Sequence, residues 1–170
     1  MSLRLHLLTL ARYNDWATRR LLEEHVGNLA EKDYRRDCGL FFKSVHGTLN
    51  HLLVGEHLLW WPRFAQGISP QVALDAEVET AREALTQKLI AGAGRWIGWL
   101  EALPEARLDS RIEYTTMRGA QASLPFGSTL AHVFNHGTHH RGQISAALTA
   151  MGQPCPVLDL VYMLQPESAR

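Results

Sequence analysis

Residues 130–151 read LAHVFNHGTHHRGQISAALTAM and hold four of the chain's nine histidines. At about 100° per residue, Leu130, Val133, Phe134, Gly137, Ile144, Leu148 and Met151 gather on one stripe, which predicts a helix packed on a core. His132, His136 and His140 follow at four-residue steps along the border of that stripe, where side chains approach within roughly 5–6 Å at Cβ. Two imidazoles at that separation can share one cation. His139 falls on the far side of the wheel and reads as a solvated residue. Gly127 and Ser128 after Pro125 predict the start, with Ser128 as the N-cap, and Gly152 with Pro154 predict the stop.

Histidine pairs at this spacing occur in many helices that bind nothing, so a metal reading depends on a third ligand from another buried helix. Residues 44–61, SVHGTLNHLLVGEHLLWW, offer one. This segment is apolar almost all round, which predicts a central helix that Pro62 ends or kinks. On the wheel His51 falls inside the arc of Leu52, Val54, Leu58 and Leu59, whereas His46 and His57 share the opposite side with Asn50. An imidazole in an apolar arc needs a partner, because an unpaired buried polar group costs roughly 1–3 kcal/mol. A metal ion is such a partner. His51 is therefore the candidate third ligand, with His46 the second choice.

The rest of the chain supplies two more helices. Ser2 to about Leu29 repeats apolar residues at three- and four-residue steps and stops at Gly27-Asn28. Residues 30–43 form a charged connection ending in the pair Phe41-Phe42. A third helix spans about Val78 to Leu103, with Ala81, Ala84 or Leu85, Leu89, Trp96, Trp99 or Leu100 and Leu103 on its apolar face and Gly92, Gly94 and Gly98 as points where another helix can come close. Leu108 to Leu124 changes period around Met117-Arg118-Gly119-Ala120 and predicts a short β-hairpin or extended loop. The tail carries a short apolar turn, Leu158 to Leu164, that docks on the body. The expectation is an all-α, antiparallel four-helix bundle with a hairpin before the last long helix, formed as one domain over residues 1–170.

At 170 residues with 46% hydrophobic and 20% charged content, the chain can bury a core. Lysine plus arginine equal aspartate plus glutamate at 17 each, so no basic field exists for a phosphate backbone and nucleic acid is excluded as an expected partner. No apolar run reaches the roughly 18 residues of a membrane span, and the first residues lack a cleavage signal. Cys38 and Cys155 stand far apart without a CxxC, which fits a reducing compartment, and a cytoplasmic location is expected. The apolar helices and five tryptophans are compatible with a homodimer as well as with a monomer core.

SVHGTLNHLL (44–53), FNHGTHHRGQI (134–144), YNDWA (13–17) and a GxPxPxxDLVYML tail (152–164) together resemble the DinB/YfiT-like family, over nearly the whole chain. The resemblance implies a four-helix bundle similar to metal-dependent thiol S-transferases and isomerases, with nickel or zinc held by three histidines. Carried over by motif, these are His51, His136 and His140, the three that the wheel selects. Related sequences often read YNxWAN, and Thr18 here replaces the last Asn.

Three neutral imidazoles leave a divalent ion at least one open position, the arrangement of a catalytic site. Such an ion can deprotonate a small thiol or water for attack on a small electrophilic substrate. His132 is a candidate base beside the site or a weak extra ligand. Glu56 points about 140° from His51 at helical pitch and reads as a solvated or inter-helix carboxylate. Arg141 and Gln143 read as packing residues, with the Arg141 head aimed at a carboxylate such as Asp159. A zincin would need HExxH, but residue 137 is Gly; a di-iron bundle would need further inward carboxylates. The expected function is a metal-dependent thiol transferase or hydrolase, and the alternative is a stress-associated protein that binds metal or a small ligand without turnover.

Overall fold

The hydroxyls of Ser2 and Ser44 open the first and second long helices, accepting from the N–H groups of Leu5 and Gly47. The computed structural model describes residues 2–165. Helix α1 (Leu3–Arg20) runs on into a π-helical segment, Leu21–Val26. After a short α2 (Glu31–Arg35), the second long helix is built in three pieces: α3 (Val45–Leu52), a π-helical segment Leu53–Trp60, and α4 (Trp61–Ala65). Next come α5 (Arg82–Ala102), α6 (Glu105–Leu108), the hairpin β1 (Arg111–Thr115) and β2 (Gln121–Pro125), α7 (Phe126–Ala150) and α8 (Leu160–Leu164). The hairpin pairs antiparallel, with Tyr114 opposite Ala122.

The four long helices form a bundle: α1 lies against α5 and α7, α3 against α7, and the π-helical part of the second helix against α5. Their apolar faces make two core clusters. One gathers Leu22, Tyr34, Leu49, Leu89 and Ile144; the other gathers Leu7, Phe64, Trp96, Phe126 and Phe134. The tail docks as expected, since Tyr13 donates to the Leu158 carbonyl at 2.7 Å and Leu158 packs on the first cluster. Among the described residues no helix is long and apolar enough to cross a membrane.

Pro62 does not end the second helix. Upstream, the backbone has shifted to five-residue spacing, with the Trp61 N–H bonded to the Glu56 carbonyl. The next carbonyl in that register is His57, to which Pro62 has no N–H to offer. Arg95 Nη2 donates to it instead, at 2.9 Å, and the helix continues to Ala65. The changed register also turns the wheel, so that Leu58, expected on the buried arc beside His51, is 36% exposed.

Three other boundaries differ from expectation. Ser128 lies inside α7 rather than at its N-cap, because the chain enters the helix directly from β2 and Ser110 accepts the Phe126 N–H at 2.9 Å. The connection at 30–43 contains α2. Helix α5 begins at Arg82 rather than near Val78, because the Asn50 amide holds the preceding backbone extended: its Oδ1 accepts from the Glu79 N–H at 2.9 Å and its Nδ2 donates to the Glu79 carbonyl at 3.0 Å. Of the three glycines of α5, Gly92 permits a close helix contact, as a Cβ there would stand 2.6 Å from the His57 ring, whereas Gly98 has nothing within 4 Å.

Candidate metal centre

His136 and His140 lie one turn apart on α7, and His51 faces them from α3, where the helix still has ordinary α-helical register. The Nε2 atom of His136 stands 3.1 Å from that of His51 and 3.1 Å from that of His140. One donor nitrogen from each of the three rings lies within 4.8 Å of the others. Two nitrogens held about 2.0–2.1 Å from one tetrahedral ion would be roughly 3.3 Å apart, so the spacing suits a shared cation.

The outer ring nitrogens determine which way the lone pairs face. His51 Nδ1 donates to the Leu74 carbonyl at 2.8 Å, and His140 Nδ1 donates to Gln143 Oε1 at 2.7 Å. Each of these rings therefore turns a bare Nε2 toward His136. A single proton on His136 Nε2 can serve only one of them, and the other pair of nitrogens faces lone pair to lone pair. A cation removes the conflict, with the two outer hydrogen bonds orienting the imidazoles as partners of metal-bound histidines do. His136 Nδ1 is buried with no hydrogen-bond partner among the described residues.

Burial, and then the imidazoles of His140 and His51, push the His136 pKa down to about 3. Burial pushes His140 down to about 4 against the raising effect of Gln143, and also lowers His51. At neutral pH all three rings are uncharged and able to act as ligands. Phe42 stacks on His51 with centroids 3.8 Å apart and meets His140 edge-on at 5.7 Å, walling one side of the cluster. Nothing in the spacing of residues 30–43 marks Phe42 for this position.

The other histidines lie elsewhere. His132 is exposed, with its ring 5.8 Å from that of His136 and 5.7 Å from that of Trp60. His139 is exposed and edge-on to His140. His46, the second choice as ligand, is outside the cluster: its Nδ1 faces the Tyr34 hydroxyl at 3.1 Å and its Nε2 faces Glu77 at 2.8 Å. His57 is buried beneath Gly92, and burial lowers its pKa to about 3.

A second polar cluster sits deeper. Glu56 is 3% exposed, so the carboxylate is inter-helix and not solvated. Asn14 Nδ2 donates to Glu56 Oε2 at 3.0 Å, while Asn14 Oδ1 accepts from Arg141 Nη1 at 2.6 Å. The expected pairing of Arg141 with Asp159 is therefore wrong: the guanidinium turns into the bundle, where Asn14, Thr18 and Thr138 accept its protons. Burial raises the Glu56 pKa despite the Arg141 charge and the Asn14 hydrogen bond. Thr18, at the departure from YNxWAN, accepts from Arg141 at 3.3 Å. Gly137 makes room for the cluster, because a Cβ there would lie 2.5 Å from Glu56 Oε1 and 2.7 Å from Asn14 Oδ1. The same crowding explains why residue 137 is not the Glu of an HExxH motif.

With this geometry established, three comparisons bear on the chain. The DinB family model matches residues 1–169. Protein DinB of Bacillus subtilis (strain 168) is 24% identical over 170 residues, covering 94% of this chain and 96% of its own length. YfiT from Bacillus subtilis, described as a probable metal-dependent hydrolase with an unusual four-helix bundle topology, superposes with a TM-score of 0.67 at 12% identity, over 85% of this chain and 87% of that one.

Proposed function

The chain belongs to the DinB family, and on that premise we propose that it is a divalent-metal-dependent enzyme of the hydrolase type, with His51, His136 and His140 as the ligands. The observation that carries this reading is the convergence of three Nε2 atoms at 3.1 Å steps, two of them with their outer nitrogens already hydrogen-bonded. When bound, a zinc or nickel ion supplies Lewis acidity, drawing a proton from water or from a low-molecular-weight thiol near neutral pH. With three protein ligands the ion keeps a position free for exchange. The description of YfiT as a probable metal-dependent hydrolase favours water over a thiol as the nucleophile.

The chain's own residues perform the remaining work. Leu74 and Gln143 hold two ligand rings in the correct tautomer, Phe42 keeps water from the outer side of His51, and His132 accepts or returns a proton one turn from His136. Metal analysis of purified and reloaded protein tests the first half, with about one divalent ion per chain expected for three convergent imidazoles. Hydrolysis of ester and amide panels, run beside thiol-plus-electrophile panels, tests the second half. Equal rates for wild type and His136→Ala across both panels would overturn the enzyme reading and leave a protein that only binds metal.

A further inference from the structure

A cavity of about 700 Å³ lies between α1, α7 and the tail, on the side of α7 opposite His140, and none of the three imidazoles lines it. A smaller cavity of about 380 Å³ has His132, one helical turn from His136, in its lining. Trp60, Tyr114, Leu124, Pro125 and His132 line it, and its lining includes no acidic or basic side chain other than that imidazole. The His132 ring is 5.8 Å from the His136 ring.

Its aromatic walls are held rigidly. The Trp60 and Tyr114 rings meet edge-on at 5.3 Å, and Trp60 meets His132 edge-on at 5.7 Å. Behind them the buried Arg63 guanidinium lies 4.8 Å from the Trp60 centroid and 4.7 Å from the Tyr114 centroid, anchored to the Thr115 carbonyl at 3.4 Å. One cation stacked on both rings fixes their mutual angle. The Thr129 hydroxyl donates to the Pro125 carbonyl at 2.7 Å, so it asks nothing of a ligand. A mostly apolar pocket of about 300–1,000 Å³ with a few polar groups, here the His132 imidazole and the hydroxyls of Tyr114 and Ser128, is the ordinary form of a small-molecule site.

We propose that this pocket binds the flat, uncharged aromatic arm of the substrate while its polar, reacting end lies at the three histidines. This rests on the metal-centre reading for the reacting end only, because the pocket itself needs no ion. An aromatic ring fills the space beside Trp60 and Tyr114 in the same edge-to-face geometry that they use with each other. A charged arm would lose its hydration without an oppositely charged side chain in the lining to replace it, because the Arg63 guanidinium is buried and already stacked on the two rings.

The probe is 4-fluorophenol, followed by fluorine NMR on the full chain. Saturable binding is expected in metal-free protein, weakened at least about fivefold by Leu124→Trp, which fills the cavity, and by Tyr114→Ala, which removes a wall. Metal-free His51→Ala should bind within about twofold of wild type, since the pocket does not include that ring. Benzoate, the charged counterpart, should bind more weakly than the phenol. Once one cobalt ion per chain has been verified by metal analysis, the bound fluorine signal should relax faster because the pocket adjoins the ion. Equal affinity in wild type and Leu124→Trp, absence of saturable binding, or unchanged relaxation beside verified cobalt would each overturn the proposal. Failure of the chain to take up metal would overturn the metal-centre reading, leaving the pocket to be decided by the Leu124→Trp comparison.

Discussion

Two polar clusters share the second long helix and α7, the first drawing Asn14 from α1 as well, and they differ in how their groups are matched. Glu56, Asn14 and Arg141 bring an acceptor, an amide with both functions and a donor, and the amide bridges the two charges. His51, His136 and His140 bring three nitrogens of one kind to one point. A cluster of unlike groups can satisfy much of its own demand, whereas a cluster of like acceptors needs something from outside. The first therefore reads as architecture and the second as a site for exchange. The difference is available only from atoms, since both clusters consist of residues that look equally functional in a sequence.

That contrast can be broken experimentally. His136→Ala should abolish stoichiometric metal binding while the helical circular dichroism remains, with affinity falling by more than the roughly 10–100-fold that loss of an outer partner costs. Retention of one tightly held ion in that variant would end the distinction. Arg141→Leu should do the reverse: it leaves Glu56 buried without its cation, at a cost of about 3–5 kcal/mol in denaturant unfolding, with metal stoichiometry in the folded fraction unchanged. Gln143→Leu should sharpen the contrast, lowering metal affinity about 10–100-fold by freeing the His140 ring, with little change in urea midpoint for the metal-free chain.

Acid should separate the clusters by a smaller effect. The folded pKa values of His136 and His140, about 3 and about 4, lie below the ordinary 6.5. As pH falls through about 6.5 the unfolded chain takes up protons that the folded chain refuses, so stability present above that pH is lost progressively toward about pH 3, where the His136 ring itself takes up a proton. Thermal midpoints of metal-free protein should fall across this window, less steeply in His136→Ala. An identical pH slope in the two proteins would show that these imidazoles are not the source.

Much of this is legible in the residues themselves. The i, i+4 pair on α7 is a consequence of helical pitch, and apolar periodicity marks the four long helices and the change to a hairpin at Leu108 to Leu124. Reading failed where the backbone left that pitch. Over residues 53–60 the five-residue spacing rotates Leu58 outward and carries the helix past Pro62 with Arg95 supplying the missing donor. Arg141 was misdirected toward Asp159 because a long side chain has many reachable partners, and only the packing of α1 against α7 puts Asn14 within its reach. Phe42 and the Leu74 carbonyl lie in loops, where no period shows what a residue will touch.

Local terms are legible in the order of residues: which segments are helical, which faces are apolar, and that two histidines on one helix can chelate, because these follow from backbone geometry and side-chain hydrophobicity over a few residues. The sequence also ranks His51 above His46, but the distance between the three rings, the sealing of Glu56 and the aromatic pocket beside His132 come from packing alone. Those outcomes depend on how helices far apart in the chain are rotated against one another, and that rotation is set by the packing of the whole core.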